Sequence, residues 1–148
     1  MQNSSTKPLC EITIRCEFAA AHRLHAPSLS DQENVELYGP CNNPKGHGHN
    51  YDLFVTVRGP IDPVTGMVMN LNDLHRIVRT RIFEVVDHKH LDEDLDILGG
   101  RVSTAENLAL VFWELLVEEL KAFPGVAMSS VRINESRANI VEYKGESL

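Results

Sequence analysis

Residues Tyr38–Tyr51 read YGPCNNPKGHGHNY, and the interpretation of the whole chain depends on this stretch. Two histidines, His47 and His49, are separated by one glycine at the start of an alternating apolar stretch that predicts a β-strand. Side chains two residues apart on a strand point to the same face, so both imidazoles can reach one ion. The spacing therefore predicts a metal-binding pair.

A third imidazole is available at His22, which ends an earlier apolar stretch. If the two strands are neighbours, His22, His47 and His49 converge. Three neutral imidazoles with an open fourth position are typical of catalytic zinc, whereas structural zinc is closed by four ligands rich in cysteine. A polar surface hairpin is the alternative interpretation, but three histidines and a nearby cysteine favour a Zn²⁺ site that is open to a substrate.

Composition indicates one domain, and the charge balance argues against two classes of partner. The chain has 148 residues, 43% of them hydrophobic, which suffices for a single domain at residues 9–148 after a flexible tail at residues 1–8. The net charge of −7 disfavours nucleic acid or an anionic membrane as partner, because both attract basic surfaces. An anionic substrate would need a local basic pocket.

The cysteines favour a cytoplasmic location. The chain has three cysteines, an odd number without paired spacing: Cys10, Cys16 and Cys41. They follow no apparent signal peptide, so we expect a reducing compartment. Cys10 and Cys16 alternate with apolar neighbours and are expected to be packing residues. No stretch approaches the roughly 20 apolar residues that span a bilayer, so no membrane partner is expected.

Alternating apolar positions predict four strands. The predicted strands are residues 10–21, 48–58, 127–135 and 139–144. Residues 25–40 are polar and without period, so they are expected to form a long loop.

Helical periodicity predicts two helices between the strand pairs. The first covers residues 71–86, and the second runs from Ser103 to about Ala122, opened by a capping box of Ser103 and Glu106. The order ββααββ indicates an α+β domain, with a four-stranded antiparallel sheet covered on one face by two helices. Edge pairing between subunits into a closed barrel would remove the exposed edges of such a sheet.

Four separated motifs resemble those of the 6-pyruvoyl-tetrahydropterin synthase family, over most of the chain from residue 11. They are FAAAHRL with CNNPKGHGHNY, then VDHKHLD, then VSTAEN, then INESRANIVEYKGE. Each motif alone would be weak evidence of a relationship, and the resemblance rests on the order and spacing of all four. The resemblance implies a tunnelling fold whose subunits form a barrel, assembled as a homohexamer of two stacked trimers.

The resemblance also implies a reaction of tetrahydrobiopterin biosynthesis. The substrate, 7,8-dihydroneopterin triphosphate, would lose its triphosphate and rearrange internally to 6-pyruvoyl-tetrahydropterin, without an external reductant. Zn²⁺ held by His22, His47 and His49 would polarise the side-chain hydroxyls of the substrate as a Lewis acid.

By the same resemblance, Cys41 is the general base that removes and returns carbon-bound protons. Asp87 would orient His88 and complete a triad with Cys41, both residues coming from a neighbouring subunit. Glu135 would anchor the pterin by accepting paired hydrogen bonds from its N–H groups.

Five further residues are weaker candidates for substrate binding. Thr104 and Glu106 fall in a family segment near the pterin pocket. Charge alone suggests Arg23, Lys45 and Lys89 for the triphosphate.

Ordinary structural roles remain open for several of these residues. Cys41 could be a half-buried thiol, and Asp87 with His88 could merely close a helix, since a histidine at a helix C-terminus favours the dipole. The capping box already explains Glu106, and an acid such as Glu135 is ordinary in a strand. Core packing is expected for Tyr51, Phe112 and Trp113, and no role is assigned to His25, His75 and His90.

Relatives within the superfamily provide the main alternative. The 6-carboxy-tetrahydropterin synthases of the queuosine pathway use the same fold, metal and triad, but typically place three residues between the cysteine and the HGH motif. Here five residues separate Cys41 from His47, which favours the pyruvoyl branch. Folate-linked members carry glutamate in place of the cysteine. The family commonly shows Asn at His90 and Thr at Ala105, differences that could alter substrate preference.

Two other classes of protein could also use these residues. A zinc hydrolase could use three histidines and a metal-bound hydroxide, but it would have no need of Cys41. A non-enzymatic metal- or pterin-binding protein could keep the ligands without turnover. Retention of Cys41, Asp87 and His88 favours the synthase over both.

Overall fold

Two long antiparallel strands form the centre of the sheet. In the computed structural model, which describes residues 6–148, β1 (Leu9–His22) and β2 (His47–Pro60) pair along their whole length. The register places Leu9 opposite Pro60 at one end and His22 opposite His47 at the other. The predicted strands at 10–21 and 48–58 are therefore confirmed, each slightly longer than expected.

The sheet has five strands, one more than predicted. β4 (Ala127–Asn134) pairs antiparallel with β2, and β5 (Ile140–Tyr143) pairs antiparallel with β4. A fifth strand, β3 (Lys89–His90), pairs parallel with β1, so the order is β3-β1-β2-β4-β5 and the sheet is mixed. The prediction of four antiparallel strands was wrong in this respect, because a two-residue strand is too short to show alternation.

Two helical segments cover one face of the sheet. The first comprises α2 (Leu71–Val78), a π-helical turn (Arg79–Phe83) and α3 (Glu84–Val86), which together match the predicted helix at 71–86. The second is α4 (Ala105–Leu120). Even-numbered residues of β1 and odd-numbered residues of β2 share the covered face and form the core with the helices; the largest include Phe18, Tyr51, Leu53, Leu74, Phe112 and Leu116.

The opposite face of the sheet is polar. Thr13 and Thr56 share a hydrogen bond of 2.7 Å across β1 and β2, and Arg15 forms an ion pair with Asp52. Within residues 6–148, the edge of β1 away from β2 pairs only at Ala20 and Ala21, with β3. Most of that edge is therefore open to further pairing.

A helix occupies part of the region predicted to be a loop. α1 (Asp31–Tyr38) begins at the N-cap Ser30, whose side chain accepts from the Glu33 N–H while the Glu33 side chain accepts from the Ser30 N–H. Its apolar residues follow no helical period, which is why the pattern missed it. Asn34 is fully buried and its amide binds both backbone groups of Ala26, so the helix is held by polar contacts rather than by an apolar face.

The capping box predicted for the second long helix was wrong. The N-cap is Thr104, whose hydroxyl accepts from the Asn107 N–H at 3.2 Å, and not Ser103. Ser103 is buried one residue earlier, and Glu106 is exposed in the first turn. Adjacent Ser and Thr are both good caps, and only the tertiary contacts of Ser103 decide between them.

The N-terminal tail predicted at residues 1–8 falls partly outside the described residues, which begin at Thr6. The carbonyl of Pro8 accepts a hydrogen bond of 2.9 Å from the Ile61 N–H, so the end of this segment is attached to the sheet. Among residues 6–148, none of the helices has the length and apolar character needed to cross a bilayer.

The packing of α4 can be tested at two adjacent positions. Leu116 is 1% exposed and Val117 is 40% exposed. We expect Leu116→Ala to lower the free energy of unfolding by about 2–5 kcal/mol, because it leaves a cavity in a close-packed core. Val117→Ala should change it by less than about 0.5 kcal/mol. Urea denaturation followed by circular dichroism measures both, and equal losses would contradict the assigned face of the helix.

Candidate metal centre and active site

The ends of the two central strands bring three histidines together. His22 is the last residue of β1 and lies opposite His47, the first residue of β2, while His49 follows two residues later on the same face. One ligand atom from each side chain lies within 4.8 Å of the others. The cluster predicted from the sequence is therefore confirmed as a group that could hold a metal ion.

The imidazole of His22 is held in one orientation. Its Nδ1 lies 2.7 Å from the Ser103 carbonyl, which can only accept, so Nδ1 carries the proton and Nε2 a lone pair. That Nε2 is 3.1 Å from Nε2 of His47. A backbone carbonyl behind a metal-binding imidazole is the usual outer contact that fixes the tautomer and strengthens the ligand.

The donor set fits a divalent ion. Nε2 of His49 and Nδ1 of His47 are buried without a hydrogen-bond partner among the described residues. Buried polar atoms without partners are costly, and a metal ion on the imidazoles would satisfy Nε2 of His49. Three imidazole nitrogens, with no fourth protein ligand in the group among residues 6–148, match the donor set of a catalytic metal rather than a structural one.

Burial keeps two of the ligands neutral. The pKa of His47 is lowered by burial and by the neighbouring imidazoles of His22 and His49, against an opposing effect of Glu135. The pKa of His49 is also lowered by burial, again with Glu135 acting in the opposite direction. Unprotonated imidazoles keep the lone pairs that a metal requires.

A glycine turn allows the second strand to approach the first. Gly46 has φ of +78°, and a Cβ there would lie 2.9 Å from both the His22 carbonyl oxygen and Nε2 of His90. Only glycine adopts this conformation without strain and fits the space. The glycine before the HGH motif is thus part of what positions His47.

Glu135 approaches the histidine cluster from the end of β4. Its Oε1 lies 3.8 Å from Nε2 of His49, and its side chain is 21% exposed. The structure therefore brings Glu135 next to the histidine cluster, although Glu135 and His49 are 86 residues apart in the sequence.

Tyr51 is buried in the core, as predicted, and it also contacts the histidine cluster. Its ring stacks on Phe18 at 4.9 Å and meets the ring of His49 edge-on at 5.5 Å. Its hydroxyl is buried without a partner among the described residues, and burial, then Glu135 and Asp92, raise its pKa. The signal for this proximity was present, because Tyr51 continues the i, i+2 series of His47 and His49.

Asp87 and His88 form a bonded pair next to β1. Nδ1 of His88 donates to Oδ2 of Asp87 at 2.6 Å, while Oδ1 of Asp87 accepts from the Ala19 N–H at 3.0 Å. These bonds lower the pKa of Asp87, the Ala19 bond most. His88 has φ of +59° and its side chain is 81% exposed. A non-glycine residue in this region of φ is uncommon and often marks a functional site.

Cys41 makes no hydrogen bond to that pair among the described residues. It belongs to a 3₁₀ turn (Gly39–Asn42) after α1 and is half-buried. A cavity of about 450 Å³ is lined by His88 and His49, and Cys41 is not among its lining residues. Within residues 6–148, no hydrogen bond joins the Cys41 thiol to Asp87 or His88, so one chain does not assemble the predicted triad.

The weaker candidates are not gathered into one site. Thr104 is engaged as the N-cap of α4, and Glu106 is exposed. The guanidinium of Arg23 donates to the Asn42 carbonyl at 2.9 Å. Lys45 is exposed, whereas Lys89 lines the same cavity as His49. The carbonyl of Ser103 contacts the histidine cluster, a role that the sequence does not predict, because a backbone contact between distant residues leaves no periodic signal.

The mixed sheet of this α+β domain thus presents three imidazoles that could hold a metal ion, with the Glu135 carboxylate nearby, at the ends of its central strands. The sequence profile of the 6-pyruvoyl tetrahydropterin synthase family matches residues 11–146. The chain belongs to this family.

Individual relatives agree with this assignment. A 6-pyruvoyl tetrahydrobiopterin synthase of Poecilia reticulata is 51% identical over 150 residues, covering 99% of this chain and all of that protein. The human enzyme of the same name is 48% identical over 136 residues, 92% of each chain. The structure of the Caenorhabditis elegans 6-pyruvoyl tetrahydropterin synthase superposes with a TM-score of 0.85 at 39% identity, covering 95% of this chain and 98% of that one.

The metal centre can be tested by removing one ligand. We expect His49→Ala to weaken divalent-metal binding by at least about 100-fold, since even loss of an outer contact typically costs 10- to 100-fold. His75, exposed on α2, is the matched control, and His75→Ala should bind like the wild type. Calorimetric titration with Zn²⁺ measures both, and equal affinities would exclude this cluster as the metal site.

Proposed function

We propose that this chain is a zinc-dependent enzyme that converts 7,8-dihydroneopterin triphosphate to 6-pyruvoyl-tetrahydropterin, with elimination of triphosphate, in tetrahydrobiopterin biosynthesis. The single observation that carries the proposal is the convergence of His22, His47 and His49 with Glu135 in a chain of this family. Relatives of 46–51% identity that bear the name 6-pyruvoyl tetrahydrobiopterin synthase support it.

The metal would be held by His22, His47 and His49. Zn²⁺ at this position supplies Lewis acidity to the hydroxyls of the substrate side chain. The protein contributes orientation, because the Ser103 carbonyl fixes His22 and the strand register fixes His47. Burial keeps water away from these ligands and strengthens electrostatic effects at the reacting carbons.

Glu135 would hold the pterin ring. A carboxylate can accept two parallel hydrogen bonds from adjacent N–H groups of a heterocycle, as it does from arginine. Because Oε1 of Glu135 is 3.8 Å from Nε2 of His49, a pterin bound to Glu135 would lie next to the histidines that would hold the metal. Thr104 and Glu106 are further candidates near the pterin, Thr104 through its half-buried position at the start of α4.

Cys41 is proposed as the general base, with Asp87 and His88 completing the triad. Asp87 accepts the Nδ1 proton of His88, which leaves Nε2 of His88 free to exchange a proton with the substrate or the thiol. The reaction moves protons between neighbouring carbons and releases triphosphate, so it needs no external oxidant or reductant. A base and an acid that can exchange roles therefore suffice.

Completion of the triad would require a second subunit. His88 is 81% exposed and Cys41 lies elsewhere on the chain, so an Asp87–His88 pair from one subunit could meet Cys41 of its neighbour. The largely unpaired edge of β1 supports edge-to-edge pairing of subunits into a barrel. We propose a homohexamer of two stacked trimers on this basis, with residues 9–148 as one domain in the cytoplasm.

The triphosphate would bind near Lys89. This residue is exposed and lines the cavity that contains His49 and His88. Arg23 is less free for this role, since its guanidinium donates to Asn42, whereas Lys45 is exposed at the turn before His47.

The reaction and its base can be tested together. Zinc-loaded protein incubated with 7,8-dihydroneopterin triphosphate should release triphosphate and give a 6-pyruvoyl product, identified by mass spectrometry. Cys41→Ala should lower kcat by at least about 100-fold, because a positioned acid or base contributes 10²–10⁴-fold. Cys10→Ser is the matched control and should be fully active. Cys10 was expected to be a packing residue, but it is exposed and lies near the opposite end of β1 from His22.

Other outcomes of this experiment identify the alternatives. A 6-carboxy product would assign the protein to the queuosine branch. Undiminished turnover in Cys41→Ala would favour a hydrolytic mechanism, and tight pterin binding without turnover would favour a binding protein.

The role of Glu135 predicts a change in KM. Loss of one charge-assisted hydrogen bond costs about 1.5–3 kcal/mol, so Glu135→Gln should raise KM by about 10- to 100-fold. Glu142→Gln, on exposed β5, provides the matched control. Steady-state kinetics with the metal content measured in parallel tests the role. An unchanged KM would exclude Glu135 as the pterin anchor, and loss of zinc would show that it acts on the metal instead.

A further inference from the structure

We propose that Asn42 is a positioning residue that fixes the proposed base, Cys41, relative to the metal ligand His22. The inference rests on the proposed function in so far as Cys41 is the base. Asn42 directly follows Cys41 and is 3% exposed, which is unusual for an amide in a loop.

The side chain of Asn42 is fully engaged with the segment that leaves β1. Its Nδ2 donates to the Leu24 carbonyl at 2.7 Å and lies 3.1 Å from Nδ1 of His25. Its Oδ1 accepts from Nη2 of Arg23 at 3.4 Å. Both donors and the acceptor of the buried amide are thus used, so the burial is compensated.

The backbone adds two more bonds between the same segments. Nε of Arg23 donates to the Asn42 carbonyl at 2.9 Å, and the Leu24 N–H donates to the Cys41 carbonyl at 2.9 Å. Residues 41 and 42 are therefore bound to residues 23–25 from both sides. These contacts are called the Asn42 clamp below.

The anchoring segment is itself fixed. The Arg23 N–H donates to Oδ2 of Asp92 at 2.7 Å, and the Ser103 hydroxyl contacts the Arg23 carbonyl at 3.4 Å. The carbonyl of the same Ser103 accepts from His22. A continuous set of hydrogen bonds consequently leads from the metal ligand His22 through residues 23–25 to Cys41.

The turn that carries Cys41 needs such support. It is a short 3₁₀ turn that begins at Gly39, whose φ is +54°, and it belongs to no strand of the sheet. Short 3₁₀ segments have poor internal hydrogen bonding. Because a displacement of about 1 Å can cost about 100-fold in rate, the clamp can govern proton transfer without contacting the substrate.

Asn42→Asp and Asn42→Ala test the clamp in the full-length, zinc-loaded protein. Aspartate keeps the size but turns the Nδ2 donor into an oxygen facing the Leu24 carbonyl; alanine removes the amide without adding charge. The matched control is Asn43→Asp. Within residues 6–148, the exposed Asn43 side chain makes one hydrogen bond, in which its Oδ1 accepts from the Lys45 N–H, and aspartate retains that acceptor. Should both Asn42 variants fail to fold, Arg23→Lys removes the Nε donor while keeping the charge.

Two readouts separate positioning from general stability. We expect kcat to fall by about 10- to 100-fold in the Asn42 variants, with KM within about 3-fold of wild type and zinc content unchanged. The rate of Cys41 alkylation by iodoacetamide, resolved from Cys10 and Cys16 by peptide mass mapping, should change at least about 3-fold because the turn moves. Asn43→Asp should match the wild type in both.

The inference is overturned if Cys41 alkylation in the folded variants equals that of Asn43→Asp, or if kcat falls only in proportion to lost zinc. The failure of the proposed function is distinguishable from these results. An inactive wild type would refute the synthase assignment, while the alkylation rates would still decide whether Asn42 positions Cys41.

Discussion

The antiparallel register of β1 and β2 is the constraint on which the rest of the structure depends. It places His22 directly opposite His47 and leaves His49 on the same face, so three ligands arise from two adjacent strand ends. A slip of one residue would turn every side chain of one strand to the other face and remove its ligands from the cluster. The apolar alternation of both strands resists that slip, because it would also expose Phe18 or Tyr51.

The metal centre and the helix layer share a residue pair at the start of α4. Thr104 caps the helix, and this leaves the Ser103 carbonyl free to accept from His22. The same packing that buries α4 therefore selects the tautomer of a metal ligand. A change in the cap would alter the hydrogen bond between the Ser103 carbonyl and His22. The proposed metal site is therefore sensitive to the position of α4 through this outer contact.

Local patterns in the sequence were sufficient for the four longer strands, the two long helices and the three histidines. Each shows a period of 2 or 3.6 or a spacing tied to it. α1, β3 and the choice of Thr104 over Ser103 could not be predicted, because they depend on contacts with residues distant in sequence. Asn34 and Asn42 are examples, because both are buried asparagines in a polar stretch. Their side chains bind the carbonyls of Ala26 and Leu24, contacts that exist only once the chain has folded.

The two halves of the proposed triad are held by different means, and the difference bears on assembly. Cys41 is fixed by the Asn42 clamp inside its own subunit, whereas Asp87 and His88 are fixed against β1 through Ala19, with the imidazole exposed. The positive φ of His88 is a strained conformation that the Asp87 bond and the β1 contact maintain. Because the imidazole of His88 is exposed, the Asp87–His88 pair is accessible to groups outside its own chain. In the proposed assembly, a neighbouring subunit would pair with the open edge of β1. Because the Ala19 N–H on that edge donates to Asp87, such pairing would bring the neighbour close to the proposed acid–base group.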